Sequence, residues 1–165
     1  MRTRKTEWSI SLIHARKRRA AWWGPIKSSE ELLEIVCDYG RRLGVKVNPF
    51  TSESESELVS HIYNVADQTD AFLVNPATFT TYGRSFQMAL VDTGKPYVEC
   101  HFANLSKWFE EISPRQPIES IFTHQSSGMV MGLRHYSFVG ALVSLVLALD
   151  DKNFLGANAR NAEAA

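Results

Sequence analysis

Cysteine is scarce in this chain. Only Cys37 and Cys100 occur among 165 residues, too few for the disulfide framework of a small secreted domain. Both read as reduced thiols, and a cytoplasmic location is the expectation. An excess of one charge is also missing. Eighteen lysines and arginines balance eighteen aspartates and glutamates, so bulk charge makes no case for a nucleic-acid partner. The longest apolar run, FVGALVSLVLAL over 138–149, falls short of the roughly 20 residues that cross a bilayer. No membrane partner is therefore expected. The first apolar run starts at Trp8 behind the basic head MRTRK and is too short for a signal peptide. No spacing of histidine, cysteine and carboxylate makes a ligand set, so no metal is expected.

What is present is a regular alternation. EWSISLIH alternates apolar and polar residues and predicts a strand ending at His14. Ser28 with Glu31 makes a capping box, and Gly44 closes the helix between them and itself. VKVNPF predicts a second strand. Ser54 and Glu57 open a second helix with Leu58, Ile62 and Val65 on one face. DAFLVN predicts a third strand, followed by a helix from about Thr80 to Thr93 and by KPYVECH as a fourth strand. LSKWFEEI predicts a short helix, SGMVMG a weak fifth strand, and the apolar run the closing helix. With 44% apolar residues the chain can bury one core, so residues 1–150 read as one domain and 151–165 as a frayed tail. Five strand–helix alternations predict an α/β fold, a flavodoxin-like three-layer sandwich with a parallel sheet in the order 2-1-3-4-5.

Ligands of such sheets sit beyond the carboxyl ends of the strands, at the switch between strands one and three. The strand ends here are His14, Asn75 and Glu99-Cys100-His101. Taken singly, each has a bland reading. His101 alone reads as a core histidine bonded to a carbonyl, Asn75 before Pro76 as turn chemistry, and Thr78, Thr80 and Thr81 as helix caps. Their convergence favours a site. Glu99 and His101, two apart on a strand, point to one face, where a carboxylate can fix the imidazole tautomer. The stretch ARKRRAAWWGPIK is either an anion-binding lid or a solvated basic loop whose tryptophans pack on a neighbouring subunit.

Two functions of this architecture are excluded by what the strand ends carry. A flavodoxin cradles its phosphate in a hydroxyl- and glycine-rich loop after strand one, where this chain has arginine and lysine. A receiver domain needs acidic residues at the ends of strands one and three; His14 and Asn75 stand there.

VNPATFTTYGRSFQMAL followed by KPYVECHFANL resembles the type II 3-dehydroquinate dehydratases, whose pattern is close to N-P-G-A-Y-T-H-T-S and then P-V-V-E-V-H-x-S-N. The resemblance implies a cofactor-free lyase that eliminates water through an enolate. Asn75, Glu99, His101 and Asn104 are kept. They imply a substrate-binding half formed by Asn75, His101 and the amides of Phe102 and Ala103. The family's general-acid histidine is replaced by Thr81, followed by Tyr82. Its strand-one N-G-P-N is replaced by His14-Ala15-Arg16, and Trp22 and Trp23 stand where a lid tyrosine would be. Arg115 is the stand-in for an arginine of the later loop. Met88 occupies the place of an acidic residue facing a neighbouring subunit, in a family that assembles trimers into dodecamers.

The expected catalytic residues are therefore His14, His101, Tyr82 and Glu99. Asn75, Thr81, Phe102, Ala103, Arg16 and Arg19 are expected to bind substrate. Of these, His14 is expected to carry the main proton transfer with His101 as partner, because histidine titrates near neutrality. The leading expectation is a divergent lyase acting on a small cyclic or oxo carboxylate through an enolate-like intermediate, as a homo-oligomer built from trimers and, as the resemblance implies, a dodecamer. The second is dehydration of 3-dehydroquinate itself with substituted catalytic residues. The third is a non-catalytic ligand-binding or partner protein of the same fold.

Overall fold

Ser28 and Gly44 bound the first helix as their chemistry requires. The Ser28 hydroxyl accepts from the Glu31 amide at 3.1 Å, and Gly44 adopts φ 69° to close α1 (Ser29–Leu43). Glu31 itself accepts from the Lys27 amide. Ser54 caps α2 (Glu55–Val65) in the same manner, accepting from the Glu57 amide. The computed structural model describes residue 2 and residues 6–15, 24–112 and 119–158.

Five parallel strands form the sheet: β1 (Ser9–Ala15), β2 (Lys46–Ser52), β3 (Ala71–Asn75), β4 (Tyr97–His101) and β5 (Gly128–Met131). Their order is β2-β1-β3-β4-β5, the flavodoxin-like arrangement. The other helices are α3 (Arg84–Asp92), α4 (Leu105–Ile112) and α5 (His135–Asp150). Strand alternation sorts the core into two layers. Trp8, Ile10, Leu12, Ala71, Leu73, Val98 and Cys100 pack with α1 and α5. Ile13, Ala15, Phe72, Val74 and Tyr97 pack with α2 and α3. Both faces are covered, which is why the central strands read as nearly continuous apolar runs.

Two expected boundaries differ. The third helix begins at Arg84, four residues after Thr80. Ala77 turns the chain with φ 48°, residues 77–79 make a 3-10 turn, and the Thr80 hydroxyl donates back to the Ala77 carbonyl at 2.6 Å. The hydroxyl cluster thus braces the turn rather than capping α3, whose N-cap is Gly83. The segment expected to fray after residue 150 is ordered by contacts as far as Asn158. Leu155–Asn158 form a 3-10 turn, Leu155 packs against the α1/α5 core, and the Gly156 amide donates to Asp151. Residues 159–165 lie outside the described residues.

Candidate active site

β1, β3 and β4 deliver their last polar side chains to one edge because they run parallel and in register. His14 is level with Asn75 on one side and Thr51 on the other. Asn75 is buried, and its side-chain nitrogen donates to the Cys100 carbonyl at 2.8 Å, tying β3 to β4.

Glu99 and His101 form the electrostatic centre. Their side chains leave β4 on one face, and His101 Nε2 lies 2.6 Å from Glu99 Oε1. Glu99 is wholly buried, so each of its oxygens needs donors. Ser120 Oγ donates to Oε1 at 2.5 Å and Thr123 Oγ1 to Oε2 at 2.6 Å. Burial works to raise the Glu99 pKa, yet the bond and charge of His101, with the two hydroxyls, outweigh it and hold the carboxyl below its ordinary value. The carboxylate therefore orients the imidazole as an ionised acceptor. Close by, burial and the Glu99 charge push the Tyr97 phenol upward, leaving it a neutral donor to the Phe122 carbonyl at 2.5 Å. The same two causes push up the thiol of Cys100, which stays protonated.

His14 is held differently. Its Nε2 is 3.1 Å from Ser29 Oγ in the first turn of α1, and its ring meets Phe138 edge-on at 6.0 Å. It shares the α1/α5 face with Leu12, while His101 shares the opposite face with Tyr97. The two histidines thus approach the strand-end edge from opposite sides of the sheet, each bonded to its own partner. Thr81 and Tyr82 lie exposed on the turn before α3, with the Tyr82 ring set edge-on to Phe79. Phe102 and Ala103 lead from β4 into α4, where Asn104 accepts from the Lys107 amide and caps the helix. Arg16 and Arg19 lie outside the described residues, as do Trp22, Trp23 and Arg115.

Several neighbours of these groups escape sequence reading. Nothing periodic marks Ser120 and Thr123 in a polar loop, and nothing in the sequence sets Ser29, the first residue of α1, apart from the cap beside it. A cleft of about 270 Å³ opens between α4 and β5, lined by Leu105, Phe109, Ser120, Thr123, Met129 and Met131 among others. It places the hydroxyls that hold Glu99 next to an apolar wall. No group of three or more metal-binding side chains occurs among the described residues, and no described helix is long and apolar enough to cross a membrane. The chemistry open to such an arrangement is acid–base chemistry on a small polar ligand.

Residues 11–146 match the family model described as Dehydroquinase class II. The 3-dehydroquinate dehydratase of Thermotoga maritima is 29% identical over 124 residues, covering 75% of this chain and 81% of that one. That of Aeromonas salmonicida is 31% identical over 126 residues, covering 73% and 80%. Among solved structures, the type II dehydroquinase of Butyrivibrio crossotus superposes with a TM-score of 0.74 at 20% identity, covering 85% of this chain and 98% of its own. At that identity the superposition speaks for the fold.

Proposed function

The chain belongs to the class II dehydroquinase family, and from that premise we propose that it is a cofactor-free lyase acting on a small cyclic or oxo carboxylate. The observation that carries this reading is the Glu99–His101 pair, fixed by Ser120 and Thr123 at the strand end beside Asn75. A rigid, pre-oriented imidazole at a strand-end crevice is suited to holding a polar substrate group in one place.

Elimination of water from a β-hydroxy carbonyl compound needs three services. A base takes the proton beside the carbonyl, a donor supports the enolate oxygen, and an acid protonates the departing hydroxyl. The C–H and C–O bonds break, a C=C bond forms, and water leaves without any redox change. His14 is the group we assign to proton transfer, positioned by Ser29. His101 and Asn75 bind, and the amides of Phe102 and Ala103 receive the carboxylate. The exposed Thr81 cannot serve as an acid near neutral pH, so this division of labour differs from the family pattern at that position.

The first substrate to test is 3-dehydroquinate, the compound in the relatives' names, followed by other β-hydroxy oxo carboxylates. Product formation is read as ultraviolet absorbance of the conjugated double bond. Turnover of at least one compound, lost in His101→Ala, is the expected result. Absence of turnover across the panel at high enzyme concentration would reject the lyase reading.

We also propose a homo-oligomer built from trimers. Tyr63, Met88 and Val91, exposed on α2 and α3, support it as apolar surface that an assembly would cover. Light scattering should return a multiple of three times 18.6 kDa; a monomer at micromolar concentration rejects it.

A further inference from the structure

Arg134 stands between β5 and α5 with φ 55° and ψ −138°, a backbone region that glycine alone enters without strain. The surrounding bonds hold it there. Its amide donates to the Phe102 carbonyl at 3.0 Å and its carbonyl accepts from the Ser137 amide. Its side chain lies across Gly24: a Cβ added at Gly24 would sit 2.7 Å from a guanidinium nitrogen and 3.2 Å from Cδ. Gly24, at φ 88°, therefore leaves room for the arginine.

A second cation arrives at the same place. Lys27 Nζ donates to the Gly24 carbonyl at 2.7 Å. Neither Lys27 nor Arg134 has a carboxylate partner for its side chain among the described residues. Both residues are exposed, so water screens the two charges from each other and an approaching anion meets a pair of cations at one place.

An independent observation comes from His135. It is 93% buried, and its Nδ1 has no hydrogen-bond partner among the described residues. A buried nitrogen without a partner is costly and marks a place where a ligand group or water completes the site. His135 lies on the core-facing stripe of α5 with Phe138 and Leu142. It is one turn nearer the strand-end edge than Phe138, whose ring meets His14. The stripe thus turns His135 toward the edge where Arg134 and the β4–α4 turn meet.

From these features we propose that Arg134, Lys27 and His135 form an oxyanion subsite on the α1/α5 side of the crevice, holding a second acidic group of a small ligand, apart from the carboxylate assigned to the amides of Phe102 and Ala103. Guanidinium supplies a planar pair of donors, lysine a mobile charge, and imidazole a buried hydrogen bond. The assignment rests on the lyase reading for its biological ligand and deepens it by naming the residues that select acidic substrates. Its chemistry fits a carboxylate or a phosphate ester alike.

The test uses binding rather than turnover. The full chain is titrated by calorimetry at low ionic strength with inorganic phosphate and, separately, with malonate. Saturable binding of at least one anion is expected, and the better of the two tells a phosphate ester from a carboxylate. Arg134→Gly and His135→Phe should each weaken it tenfold or more. Because glycine relieves the backbone at position 134, Arg134→Gly should keep or raise the melting temperature while losing the anion. Unchanged affinity in Arg134→Gly, or no saturable binding of either anion to the wild type, overturns the subsite. A wild type that binds anion through Arg134 yet turns over none of the lyase panel leaves the subsite standing and rejects only the lyase reading.

Discussion

His101 Nε2 stands 2.6 Å from Glu99 Oε1 on one face of β4, and the carboxylate it meets has no contact with solvent. A buried carboxylate in this setting survives only because its oxygens are supplied with donors from His101, Ser120 and Thr123. The pair is therefore both an organising element of the site and an acid-sensitive one.

Glu99→Gln should lower stability at neutral pH by about 3 kcal/mol, since one partner of a buried charged network is removed. The pH dependence has a definite sign. The folded carboxyl titrates below its ordinary value, so its contribution is present above the unfolded value of about 4.3. It is lost as pH falls through the folded value. Urea unfolding midpoints measured from pH 7 down to pH 3 should drop more steeply for the wild type than for Glu99→Gln. Parallel curves would show that the network does not stabilise the ionised form.

His14→Ala should reduce turnover by a hundredfold or more, the usual worth of a positioned proton-transfer group. Tyr82→Phe should remain within a few-fold of wild type, because Tyr82 is 63% exposed on the turn before α3. Ser29→Ala, which removes the bond to His14 Nε2, should fall between them. If His14→Ala keeps wild-type turnover while Tyr82→Phe abolishes it, the tyrosine is the catalytic group.

Gly83→Ala should destabilise the fold by about 2 kcal/mol, as overpacking usually does. A Cβ there would lie 2.5 Å from Phe79 Cβ and 3.0 Å from the Phe79 carbonyl oxygen, and neither atom is at the free end of a flexible side chain. Ala77→Gly, six residues earlier, should be neutral or mildly stabilising. Its φ of 48° already places a non-glycine residue in the left-handed region, at a cost of roughly 1–2 kcal/mol. Thermal melts of the two variants should shift in different directions or by clearly different amounts.

His61 gives a second pH window. Its ring stacks on Phe50 with centroids 3.8 Å apart and planes 4° from parallel, and burial lowers its pKa. The unfolded chain then binds the proton first, so stability is complete above about pH 6.5 and declines as pH falls toward the folded value. His61→Phe keeps an aromatic ring but cannot titrate. Between pH 7 and pH 5 the variant's melting temperature should stay flat where that of the wild type declines; an equal decline in both removes His61 as the cause.

Much of the scaffold was legible because local chemistry and global fold agree. Ser28 and Ser54 accept from amides three residues on, and the Gly44 amide donates to carbonyls three and four residues back, so their roles follow from spacing alone. The alternation of buried strands and amphipathic helices sufficed for the sheet order, since right-handed crossovers leave few arrangements. The start of α3 was misplaced for an equally local reason. Thr80 is already helical in its dihedrals, but Gly83 leaves the helical region with ψ 61°, so α3 begins only at Arg84, and the hydroxyls before it do not announce that break.

Sequence alone therefore determined which polar side chains end the strands, because a parallel sheet must carry them to a common edge. His14, Asn75 and His101 needed no further information to be placed there. Tertiary structure decided what each of them touches. The donors on Glu99 come from Ser120 and Thr123, 21 and 24 residues away, and Arg134 crosses to Gly24 from the far end of the sheet. Such pairings depend on how two layers of helices settle on opposite faces of one sheet. Packing sets that geometry through contacts distant along the chain, and no periodicity in the sequence encodes it.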